Sequence, residues 1–197
     1  MRFKKVSVST LNGRAFYYYI SLLRKAGIPF KVYLPGREPE EGVTFTTKSE
    51  GALVKGEKVY FETMTLNETL DTIRAFKSVT KYKTVNIGID PGKATGVALT
   101  LDSFPLLLRV FNSVEEVVEF VKQILPEFEF VNIKVGDGNQ EVAIKIISEV
   151  SKVLRKKDIL MLVSERKTTP KGKATFKKDI SAAVKIALRE GKVQGLS

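Results

Sequence analysis

Four carboxylates stand where the chain's apolar runs stop. Asp90 ends "VNIGID", Asp137 follows "FVNIKVG", Glu165 follows "ILMLVS", and Asp179 opens the helical pattern 177–190. A buried strand has no stability reason to finish on a carboxylate, so Asp90 is either a turn-former that reaches solvent or a ligand held on a rigid scaffold. The other three also have ordinary readings. Asp137 is flanked by glycines as in a turn, Glu165 adjoins Arg166, and an acid in a first helical turn suits the helix dipole. Gathered at one end of a sheet, however, four like charges repel, and a divalent cation is what would neutralise them. The chain has no histidine and no cysteine. Thiolate zinc sites, imidazole ligation and Ser-His-Asp or Cys-His catalysis are thereby excluded. Any metal must be a hard cation held by oxygens, which means Mg²⁺, Mn²⁺ or Ca²⁺.

The elements that must position these acids can be read from periodicity. In the second half, 85–90, 96–101 and 105–111 are apolar strands joined by tight turns, which requires an antiparallel meander. Ser113 and Glu116 form a capping box for the helix "VEEVVEFVKQIL". A buried strand (130–135), a helix (140–155), a second buried strand (159–163) and a last helix (177–190) complete the unit. The last helix carries the stripe Ile180, Ala183, Val184, Ala187 and Leu188. The order β-β-β-α-β-α-β-α predicts an α/β fold, a ribonuclease-H-like mixed five-stranded sheet flanked by helices. In such a sheet, sites collect at the carboxyl ends of the parallel strands, where Asp90, Asp137 and Glu165 fall.

A smaller α/β domain precedes it. "KKVSVS" and "IPFKVYL" read as strands around the helix "NGRAFYYYISLLRKAG", whose Phe16, Tyr19, Ile20 and Leu23 share a face. "VTFTT" and "KVYFE" alternate like exposed edge strands, and "LNETLDTIRAFKSV" is an amphipathic helix. The run Tyr17-Tyr18-Tyr19 could stack bases, although aromatics on a helix mostly serve the core. The polar, basic segment 77–84 reads as a linker, dividing the chain into domains 1–80 and 81–197.

The chain has 197 residues and a net charge of +11. Charge so one-sided points to nucleic acid as partner, through release of counterions from phosphates; a thermophile's lysine-rich surface is the plainer alternative. From Arg166 to Lys192 nine Lys or Arg face only Asp179 and Glu190. Arg166, Lys167, Lys171, Lys173, Lys177 and Lys178 are therefore the candidate phosphate-binding residues. No run is long and apolar enough for a membrane span, and the basic start lacks the pattern of a signal peptide, so a soluble, cytoplasmic protein is expected.

Three segments carry a resemblance. "IGIDPGKATGVAL" resembles the first-strand motif of the RuvC-like branch of the ribonuclease-H superfamily. "LVSERKTTPKGKA" is similar to the "DERLTT" region of YqgF-type proteins, and "KKDISAAVKIAL" to their closing "DSxAAxxIL" helix. "IKVGDGNQEVA" also resembles the "IGNGT" loop of the YqgF-like domain in Tex-type RNA-binding proteins. The resemblance covers residues 85–190. It implies a nuclease, resolving Holliday junctions or processing RNA, that uses two Mg²⁺ or Mn²⁺ ions. Asp90 and Asp179 fall on the family's metal-binding acids, Glu165 on the acid of "DER", and Asp137 near the fourth-strand carboxylate. A resolvase would work as a homodimer, with two sites for two strands. Ser164 stands where the motif has Asp, and Ala182 where RuvC-type enzymes carry a second acid. These departures favour the alternative, a nucleic-acid-binding module whose ribonuclease-H-like site has lost catalysis.

Overall fold

The computed structural model describes residues 3–164 and 176–193, with the backbone alone for 176–180 and 192–193. The chain divides into two compact units, Met1–Lys81 and Tyr82–Ser197. Among the described residues no helix is long and apolar enough to cross a membrane.

The first unit is built on four parallel strands, β1 (Val6–Val8), β2 (Lys31–Val32), β3 (Val43–Thr46) and β4 (Glu57–Tyr60), in the order β2-β1-β3-β4. Helix α1 (Gly13–Lys25) follows β1, with the Asn12 side chain accepting from the Ala15 amide, and α2 (Glu68–Val79) follows β4 under the Asn67 cap. The segment "VTFTT", expected as an exposed edge strand, is instead interior. β3 lies between β1 and β4, and all four of its residues are buried. The alternating threonines look amphipathic in sequence, but a small hydroxyl side chain tolerates the two-sided burial of an interior parallel strand. Only the hydroxyl of Thr46 lacks a partner there. The expected linker is also shorter than 77–84: α2 runs to Val79, and the Lys83 and Thr84 amides donate to the Asp102 carboxylate at 2.9 Å each.

The second unit carries β5 (Val85–Asp90), β6 (Thr95–Leu101), β7 (Phe104–Phe111), β8 (Asn132–Gly136) and β9 (Ile159–Val163), with a two-residue β10 (Lys192–Val193) at one edge. The order is β10-β9-β8-β5-β6-β7. β5, β6 and β7 form the antiparallel meander, while β8 and β9 run parallel to β5. A central first strand, an antiparallel meander on one side and two parallel strands on the other is the ribonuclease-H-like arrangement. Three helices complete it: α3 (Val114–Ile124), α4 (Gln140–Ser151) and α5 (Phe176–Leu188). Ser113 caps α3 by accepting from the Glu116 amide, and the Glu116 carboxylate accepts from the Asn112 amide at 2.9 Å.

Alternation along β5 sets Val85, Ile87 and Ile89 on one face and Asn86, Gly88 and Asp90 on the other. The first set belongs to the core with Ile133, Val135, Ile146 and Val121. Against the second set lies α5. A Cβ on Gly88 would sit 2.2 Å from the Ala183 carbonyl oxygen and 2.5 Å from the Ala187 amide nitrogen, so helix and strand backbones are in direct contact. On α5, Ala183, Ile186 and Ala187 are buried and Leu188 is exposed. The apolar stripe is thus turned slightly from the one expected, because the two alanines must meet the glycine.

Candidate functional site

The carboxyl ends of β5 and β8 form the candidate edge. Ile89 pairs with Val135 in parallel register, so one row further on Asp90 lies beside Gly136, and Asp137 follows one residue beyond the strand. Both aspartates are half-buried. The Asp137 amide donates to the Val163 carbonyl at 3.1 Å, tying this loop to the end of β9, and two residues later Asn139 caps α4. Asp179 is the fourth residue of α5, one helical turn before the Ala183 that rests on Gly88. The structure thereby brings Asp90 and Asp137 to neighbouring strand ends. It also places Asp179 at the start of the helix packed against the strand that carries Asp90.

The remaining expected residues stand differently. Glu165, Arg166, Lys167, Lys171 and Lys173 lie outside the described residues. Lys177 and Lys178 belong to the first turn of α5, of which the backbone is described. Among the described residues no group of three or more acidic side chains comes together as a metal cage. Carboxylate oxygen, the donor atom at both described positions, is the kind that hard cations take.

Two contributors escaped the sequence reading. Lys134, in the middle of β8, is buried, and its ammonium donates to the Ala187 carbonyl at 2.9 Å and to the Arg189 carbonyl. A cation at a helix C-terminus satisfies orphan carbonyls and complements the dipole. Burial pushes the Lys134 ammonium below its ordinary pKa, against an upward pull from Glu190. Arg189 extends the clamp by donating to the Ser164 carbonyl at 2.9 Å, where β9 ends. In sequence "FVNIKV" reads simply as a buried strand; the register position of Lys134 opposite Gly88 reveals that it faces α5. The second contributor is Lys93, an exposed cation in the turn three residues after Asp90.

Comparison with known proteins adds little. No family model matches the chain, and no curated protein matches it. Among solved structures, one described as "Crystal structure of Aa-Ago with externally-bound siRNA" matches with a TM-score of 0.30 at 9% identity, over 84% of this chain and 36% of that chain. The ribonuclease-H-like assignment rests on the strand order and directions, not on that likeness.

Proposed function

We propose that the second unit is the core of a metal-dependent nuclease of the RuvC/YqgF-like kind, acting on the phosphodiester bonds of structured DNA or RNA. One observation carries the reading: the central strand of a ribonuclease-H-like sheet ends in Asp90, on the face where α5 lies. Asp137 follows the neighbouring strand by one residue, and Asp179 lies in the first turn of that helix. Asp90, Asp137, Glu165 and Asp179 would hold Mg²⁺ or Mn²⁺. A divalent ion bound there would activate water and stabilise charge on the leaving oxygen of an in-line displacement. The chain's own part is to hold the carboxylates at fixed spacing through the Gly88–Ala183 contact and the Lys134 clamp. Arg166, Lys167, Lys171, Lys173, Lys177 and Lys178, with Lys93, would hold the phosphate backbone beside the site. No histidine is needed as a base in this scheme.

A second reading, a nucleic-acid-binding module without catalysis, is favoured by one specific feature. The position beside Asp90 on β8 is Gly136, so the acid available there sits a residue further on, outside the strand. The two readings separate in one experiment. Wild type and Asp90→Asn are incubated with Mn²⁺ and a panel of junction, flap, duplex and RNA substrates. The nuclease reading expects metal-dependent cleavage that the variant lacks; binding without cleavage under every condition supports the module.

A further inference from the structure

The tyrosine run of the first unit divides into three roles once α1 is placed. Tyr19 is fully buried, and its hydroxyl donates to the Thr46 carbonyl at 2.9 Å and the Val59 carbonyl at 3.1 Å. Tyr18 donates to the buried Asp71 carboxylate and packs edge-on against Phe61. Tyr17 does neither: it is 72% exposed and touches no other ring. An exposed aromatic of that size with no ring partner is a poor use of a side chain unless something covers it.

Its surroundings are cationic. α1 contains no acidic residue. Arg14, Tyr17, Ser21 and Arg24 follow one another at spacings of three and four, which sets them on one stripe opposite buried Ala15, Tyr19, Leu22 and Leu23. Neither Arg14 nor Arg24 pairs with a described carboxylate. The Arg14 guanidinium rests over the Phe61 ring, 5.8 Å from its centroid, which fixes its place on the helix surface without a counter-charge. The acids that reach the ends of α1 are already engaged. Glu50 accepts from Thr10, Thr47 and the Leu11 amide, and Glu68 pairs with Lys25. Arg14 and Arg24 are about 15 Å apart along the helix, the span of a short run of nucleotides.

We infer that this face of α1 is a docking surface for single-stranded nucleic acid, with Tyr17 stacking on a base and Arg14 and Arg24 on flanking phosphates. An exposed aromatic between unpaired cations is how proteins hold single strands without reading sequence. The charge argues against an apolar protein partner, for which two uncompensated guanidiniums would have to be desolvated. The inference rests on the nucleic-acid part of the function proposed above, and not on its metal chemistry.

The test is fluorescence polarisation of the full chain with a labelled oligothymidylate, its RNA counterpart and a duplex, in EDTA so that the carboxylate site plays no part. Tyr17→Ala is expected to weaken single-strand binding by about 5- to 150-fold, while Tyr17→Phe, which keeps the ring, stays within about twofold. Arg24→Gln should lower the slope of log affinity against log salt by about 0.7. Tight single-strand binding that is indifferent to both Tyr17→Ala and Arg24→Gln overturns the inference and leaves the nuclease reading standing. Absence of any oligonucleotide binding by wild type overturns the inference, and the Mn²⁺ cleavage panel then decides the nuclease reading separately. Loss of Mn²⁺ binding as the sole failure would remove the nuclease and leave this surface intact.

Discussion

Replacing Gly88 by alanine puts one methyl group between β5 and α5, and the consequences follow from the distances. The new Cβ would lie 2.2 Å from the Ala183 oxygen, 2.5 Å from the Ala187 nitrogen and 2.7 Å from the Ala187 Cβ. Two of the three obstacles are backbone, so no rotamer change relieves them. Moving the oxygen from 2.2 Å to an ordinary contact of about 3.5 Å requires α5 to retreat by about 1.3 Å. Overpacking of this kind costs about 1–3 kcal/mol, and backbone obstacles put it at the upper end. The helix that retreats carries Asp179, and a displacement of about 1 Å at a reacting site costs about 100-fold in rate. Gly88→Ala is therefore expected to lower the urea midpoint of the second unit and to weaken Mn²⁺ binding together. Gly13→Ala, where nothing lies within 4 Å, should be neutral or stabilising in the same assay. A second variant sharpens the test. Adding Ala187→Gly removes the methyl obstacle only, so it should not restore the double variant. Rescue by Ala187→Gly, or a Gly88→Ala protein within about 0.5 kcal/mol of wild type, refutes the backbone contact.

Two further variants can be checked on the same unit. The buried Asp158 carboxylate accepts from the Val131 amide at 3.0 Å and from Arg155 Nη2 at 2.8 Å, so Asp158→Ala should cost about 1–3 kcal/mol by urea unfolding, chiefly by leaving the buried Val131 amide without its acceptor. Burial alone would raise the Asp158 pKa, but the bonds from Arg155 and Val131 hold it below the usual carboxylate range. Its stabilisation is therefore complete above the unfolded value near 4 and lost as pH falls through the lower folded value, a loss that the variant lacks. Lys134→Met should cost about 1–3 kcal/mol by leaving the Ala187 and Arg189 carbonyls without their donor. Because the folded Lys134 pKa is depressed, the unfolded chain holds its proton to higher pH. Wild-type stability should gain from this group as pH rises toward about 10, and Lys134→Met should lose that gain in melts across the alkaline range.

The parts of the fold that announce themselves in the sequence are those governed by local patterning. Strand β5 with its terminal Asp90, the tight turns of the meander and the Ser113 capping box are all short-range features. The mixed sheet follows from their order. What escaped depends on pairing between distant segments. β3 looks like an edge strand because Thr44 and Thr46 are polar, and only its place between β1 and β4 shows that it is interior. Gly88 gives no sign of a helix backbone lying on it until the face of β5 is assigned. Lys134 is hidden within a buried-strand pattern until its register beside Gly88 points it at the end of α5. The tyrosines split three ways because successive helical residues point 100° apart, so one is core, one is half-buried and one faces solvent. At the site, Asp90 and Asp137 were legible as strand-terminal acids, whereas the offset that leaves Gly136 beside Asp90 is a matter of register alone.

The most direct measurement is a calorimetric titration of Mn²⁺ into wild type and Asp90→Asn, with folding of both checked by circular dichroism. The proposed site requires saturable binding to wild type that is lost in the folded variant. Binding that survives in Asp90→Asn, or none to wild type, would contradict the carboxylate edge as a metal centre and with it the nuclease.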